Sequence, residues 1–162
     1  MVFVQCASGT QTCVTQILIF GKFTTDEVRH MANAVYPPTK KLFLDGDIDL
    51  LADTIKVTLV DLADYTYSAA HDFIDDVTAG ARVATATLGS KTTAGGTFDA
   101  ADATFTSVTG DVSEALVIWK DTGTEGTSPV IAFIDTGVSG FPVTPVGTNI
   151  LVTWNASGII AL

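Results

Sequence analysis

Histidine, cysteine and basic side chains are all scarce in this chain. Its 162 residues include two His, two Cys and eight Lys or Arg. With only His30 and His71, little is available for imidazole chemistry. His71 is followed by Asp72, a possible orienting carboxylate, but there is no Gly-x-Ser-x-Gly elbow and no serine set apart by its neighbours. His71 therefore reads as a surface residue near the end of a short helix. No enzyme, catalytic residue or cofactor is expected. Against eight basic residues stand eighteen acidic ones, giving a net charge of −10 and a pI near 4.2. After Val57 only Arg82, Lys91 and Lys120 oppose twelve Asp or Glu. No basic patch exists to neutralise phosphates, so direct nucleic-acid or anionic-membrane binding is disfavoured. No apolar run reaches the length of a bilayer span. Residues 1–20 lack the basic flank and continuous apolar stretch of a signal peptide. Cys6 and Cys13 are spaced to allow a hairpin disulfide, but two thiols are the preferred reading.

What is present is apolar and β-branched. Hydrophobic residues make up 47% of the chain and charged ones 16%, with a mean hydropathy of +0.40. A chain of this length can bury roughly 70% of its unfolded surface in one domain. The clearest text is a long-loop hairpin: Glu114–Lys120, then Asp121–Pro129, then Val130–Asp135. Both runs are apolar on both side-chain parities, the pattern of strands covered on two faces. One cover is expected to be the core and the other a neighbouring subunit.

Other segments fill in an all-β fold. Thr54–Val60 alternates with Ile55, Val57 and Leu59 inward, and Ala81–Leu88, Thr104–Val108 and Asn149–Trp154 read as further strands. Lys40–Leu50 is a short amphipathic piece, and Pro37-Pro38 ends any helix before it. Ser68–Val77 predicts a one- to two-turn helix with Ser68 as cap and Phe73, Ile74 and Val77 facing in. Residues 89–103 read as a loop anchored by Phe98. Gly140–Gly147, with Pro142 and Pro145, is an extended loop or edge strand. Six to eight strands with one or two short helices predict an antiparallel β-sandwich or a jelly-roll-like barrel over residues 36–162. Residues 1–35 read as an N-terminal arm, with a strand at Gln16–Phe20 and a capped helix from Thr24. Met31-Ala-Asn-Ala34 also resembles a protein start.

Candidate sites are few. Asp45-Gly-Asp-Ile-Asp49 alternates carboxylates that, with Asp53, suit a hard cation. It is not an EF-hand loop, because Lys56 stands where the bidentate Glu belongs. A turn at Asp45-Gly46 is preferred, and no metal site is expected. Trp119, Trp154 and Phe133 are read as core, whereas Tyr65 and Tyr67 are read as an exposed contact pair. Asn155-Ala-Ser157 fits the glycosylation triplet, which is common by chance.

Leu44-Asp-Gly-Asp-Ile-Asp-Leu50 leading into Asp53–Val60, then Tyr65-Thr-Tyr67, and the hairpin Glu114–Gly123 with Thr127–Asp135 resemble a group of small virion proteins of tailed bacteriophages. The similarity covers residues 36–162. It implies a capsid decoration (cement) protein, or a minor tail or neck component, located in the virion and assembled in the bacterial cytoplasm. Its partners would be the major capsid protein or tail and neck proteins, and it would be a homo-oligomer, with a trimer favoured. No catalytic residues come with the resemblance. The expected contacts are Asp121, Thr124, Glu125 and Pro129 in the hairpin loop, Phe141, Pro142 and Pro145 in the proline-bearing segment, Tyr65 and Tyr67, and the arm. A third expectation is an exterior receptor- or glycan-binding module built on Tyr65 and Tyr67.

Overall fold

The computed structural model describes residues 33–162. Cys6, Cys13, His30, Met31, the expected strand at Gln16–Phe20 and the helix from Thr24 lie outside that range. Five strands form the central sheet: β1 (Ala34–Val35), β2 (Ile55–Val60), β3 (Arg82–Thr87), β7 (Ala115–Lys120) and β8 (Val130–Ile134). Their order is β1-β8-β7-β2-β3, with every pairing antiparallel. Two smaller assemblies complete the β structure. One is a three-stranded sheet of β4 (Thr92–Ala94), β5 (Thr97–Asp99) and β10 (Ile160–Ala161). The other is a ribbon of β6 (Ala103–Phe105) and β9 (Ile150–Val152). The one α-helix among the described residues, α1, spans Pro37–Asp45. The fold is all-β in the main, with few short helices, as the strand patterning predicts.

The long hairpin is present, but its second cover differs from the expectation. Leu116, Ile118, Ile131 and Ile134 belong to one cluster of buried residues, with Val57, Leu59, Phe98, Phe105 and Val152. Ala115, Val117, Trp119, Val130 and Phe133 belong to a second, with Tyr36, Tyr65, Ile74, Val77 and Ala81. Both faces are therefore filled by this chain itself. The second cover is the irregular segment 61–81 together with Tyr36, so burial of the hairpin requires no neighbouring subunit. A bulge shifts the register between Ile118 and Trp119: Ile118 pairs with Ala132 and Trp119 with Val130, leaving Ile131 unpaired. Strand β2 is likewise buried on both parities, with Thr58 and Val60 at 0% exposure beside Ile55, Val57 and Leu59.

Three local expectations also change. Pro37-Pro38 begins α1 instead of ending a helix, because a proline in the first turn removes only N–H groups that have no intrahelical partner. The helix stops at Gly46, whose φ of 79° suits glycine, while the Gly46 and Asp47 N–H groups donate to Phe43 and Leu42. Ser68–Val77 is no α-helix. Its only helical piece is a 3-10 turn at Ile74–Asp76, and Ile74 and Val77 are buried as expected. The backbone there is used otherwise: Ile74 N–H donates to Ser128 O, Val130 N–H to Asp72 O, and Asp72 and Phe73 N–H to the Asp76 carboxylate. Residues 89–103 contain the β4–β5 hairpin, with Phe98 2% exposed as their anchor. The last long strand shortens to β9, and Trp154 lies beyond it, half-buried, its indole N–H donating to Ala101 O. Ala34 and Val35, assigned to the arm by sequence, pair with Phe133 and Ala132 as an edge strand of the main sheet.

Candidate interaction surface

The loop joining β7 to β8 is closed by its own hydroxyls. Ser128, 0% exposed, accepts from Thr122 N–H at 3.1 Å and donates to Thr124 O at 2.8 Å. Thr127 also donates to Thr124 O, and the Thr122 and Thr127 hydroxyls meet at 2.7 Å. Asp121 accepts from Gly123 N–H and pairs with Lys56 at 2.6 Å. These contacts hold its carboxyl below the usual range, the Lys56 hydrogen bond contributing most. Glu125 receives both guanidinium nitrogens of Arg82, at 2.7 and 2.9 Å, which likewise hold its carboxyl down. The result is an ordered, polar tip in which residues 122–127 are exposed. Of the predicted contacts, Thr124 and Glu125 lie on that tip and Asp121 at its half-buried base. Pro129 is buried, bridged to Phe73.

The proline-bearing segment lies elsewhere. Val143 pairs with Ser113 through two backbone hydrogen bonds of 2.9 Å. Phe141 and Pro145 are half-buried and Pro142 is exposed. Phe141 and Pro142, with Glu114, Asp135 and Leu62, line a shallow cavity of about 480 Å³.

Tyr65 and Tyr67 are not an exposed pair. Tyr65 is 5% exposed, and its hydroxyl lies 2.9 Å from the Tyr36 hydroxyl and 2.9 Å from Nδ1 of His71. Tyr67 is half-buried, with its ring centroid 5.2 Å from that of Tyr36 and 5.1 Å from that of Phe133. Both are drawn into the second cluster because segment 61–81 must supply its cover. Burial pushes the Tyr65 phenol up to about 12 and raises Tyr36 further still, so both stay neutral across the physiological range. His71 is accordingly the half-buried end of a buried hydrogen-bond chain, not a free surface residue. The chain ties segment 65–71 to the start of α1.

The carboxylates from Asp45 to Asp53 do not converge. Asp45 pairs with Lys41, Asp53 pairs with Lys120 at 2.8 Å, and Asp49 accepts the N–H groups of Leu51 and Ala52. A different trio, Asp61, Asp64 and Asp111, has ligand atoms within 4.8 Å of one another. Sequence reading missed it, since Asp61 and Asp111 meet only through the fold. Tyr36, Arg82 and Ser128, which organise the surfaces above, were missed for the same reason: each acts through a partner distant in sequence or through backbone geometry.

An apolar groove of about 730 Å³ runs beside β1 and α1, lined by Val35, Phe43, Leu44, Tyr67 and Leu162 among others. Leu44 is 89% exposed and Leu162 68%. No helix among the described residues is long and apolar enough to cross a membrane. No protein-family model matches this chain, and no curated protein does.

Proposed function

We propose that this chain is a structural subunit of a tailed-phage particle, a capsid decoration protein that clamps neighbouring capsid subunits. The observation that carries this reading is the hairpin tip. A loop of nine residues, Asp121–Pro129, is ordered by side-chain hydroxyls and two ion pairs at the end of strands buried on both faces. A tip of this kind presents Thr122–Thr127 with little conformational entropy left to lose on docking. The resemblance of residues 36–162 to small phage virion proteins supplies the context. The strands' own faces are filled, so docking falls to the tip, the exposed Pro142 and the sheet edge. The partner is the major capsid protein, contacted from a homo-oligomer, most readily a trimer, and the interfaces are of the standard size of roughly 1,200–2,000 Å². A glycan platform on Tyr65 and Tyr67 is disfavoured by the burial of both rings.

Quantitative mass spectrometry and density maps of particles from the phage encoding this chain test the proposal. Hundreds of copies on the shell are expected. Six or twelve copies at the portal or tail would replace it with the tail or neck reading, and absence from the particle would overturn both.

A further inference from the structure

The groove beside β1 lies where the described chain begins, and three independent features bear on what fills it. Its lining is apolar and open, with Leu44 and Leu162 the two most solvent-exposed of the residues along it that pack no neighbour, at 89% and 68%. It also borders an incomplete sheet edge: β1 pairs with β8 on one side and with no described strand on the other. Asn33, the first described residue, is itself part of the lining.

Charge narrows the choice of occupant. In residues 1–32, Lys22 and Arg29 balance Asp26 and Glu27, so the whole net charge of −10 resides in residues 33–162. A second copy of that acidic body approaching the groove meets like charge, whereas the neutral leading segment does not. That segment contains one uncharged β-branched and aromatic stretch, Gln16-Ile17-Leu18-Ile19-Phe20. Between Phe20 and Asn33 lie residues 21–32, which span up to roughly 40 Å when extended, ample for the chain to turn back. Tethering of this kind gives an effective concentration on the order of millimolar.

We propose that Gln16–Phe20 of the same chain occupies this groove as an added strand on β1, placing alternate side chains against Phe43 and Leu44. Main-chain hydrogen bonds to the β1 edge supply register, and the apolar side chains supply the burial. The proposal is independent of the virion reading.

The test is solution NMR on the full-length chain with methyl-labelled Ile, Leu and Val. Cross-peaks are expected between the methyls of Ile17, Leu18 or Ile19 and the Phe43 ring or Leu44 methyls. The double variant Leu18→Asp/Ile19→Asp, which places a charge on both strand parities, is expected to erase them and to shift the Val35 and Leu44 methyl resonances, leaving Val57 and Ile118 unmoved. A mixture of labelled and unlabelled chains separates the sources. Contacts within one chain support the proposal. Contacts seen only between chains overturn it in favour of arm exchange. Absence of contacts, with Leu44 unmoved in the variant, overturns it outright.

Discussion

Tyr65 sits between two partners of different kinds, and their difference sets what each hydroxyl contributes. With Nδ1 of His71 accepting, the chain of donors runs from Tyr36 to Tyr65 to His71. Tyr36 is 0% exposed, and Tyr65 is the partner its hydroxyl is given. Removing the Tyr36 hydroxyl leaves Tyr65 still bonded to His71, a loss of about 1 kcal/mol. Removing the Tyr65 hydroxyl strands the Tyr36 hydroxyl in the core, which costs about 1–3 kcal/mol for the unsatisfied group. Tyr65→Phe is therefore expected to lower the urea midpoint more than Tyr36→Phe, with unchanged slope. Equal effects would mean that the two hydroxyls do not share a buried bond. The hydroxyl of Thr58 follows the same logic inside β2: it accepts the Trp119 indole N–H at 2.8 Å and meets Thr85 at 2.8 Å, so a buried threonine among apolar neighbours is fully used.

At the scale of elements, the doubly apolar strands decide between two pictures of the hairpin. Val117 lies at 0% exposure on the face covered by segment 61–81, beside Ile74, Val77 and Phe133. If that face met a neighbouring subunit, Val117→Asp would give a folded but dissociated monomer. Because the chain covers it, the charge has no route to water and no partner, and the monomer itself is expected to lose cooperative unfolding in circular dichroism melts. A folded monomer with a normal melt would count against the intramolecular cover. The same strands show why the fold was only partly legible. Strand identity was readable from β-branched runs such as Leu116–Trp119 and Val130–Ile134, and Phe98 stood out as an anchor because it is isolated among small polar residues. The cover from segment 61–81 was not readable, since its backbone bonds go to Ser128 and Asp72 across the fold and leave no periodicity in the sequence. Hence the expected helix at Ser68–Val77 and the exposed tyrosines, both inferred from local pattern, gave way to long-range pairing. In the candidate surface, the glycine- and threonine-rich tip was visible as a loop. Its ordering by Arg82, which reaches Glu125 from 43 positions away, was not.

For the molecule as a whole, charge and specific pairs pull against each other as pH falls. A net charge of −10 opposes compaction, and protonating carboxylates relieves it. Asp121, Glu125 and Asp49 resist that protonation, held low respectively by Lys56, by Arg82 and by the N–H groups of Ala52 and Leu51. A carboxyl whose folded pKa lies below its unfolded value adds stability above the unfolded value, near 4, and that stability is lost as pH falls through the folded pKa. The native contacts act at bonding distance, whereas the repulsion is spread over many separated charges. Loss of the contacts is therefore expected to win in acid. The melting temperature should be level from pH 7 to about 5 and fall below about 4, with a shallower acid slope in Asp121→Asn. Salt separates the two terms at pH 7. Raising ionic strength from 0.01 to 0.15 M shortens the screening length from about 30 to about 8 Å, which damps the dispersed repulsion more than pairs such as Lys56–Asp121 at 2.6 Å. The melting temperature should then rise with salt at pH 7. A melting temperature that climbs steadily on acidification to pH 3 would show that dispersed repulsion, not the paired carboxylates, governs the acid limb.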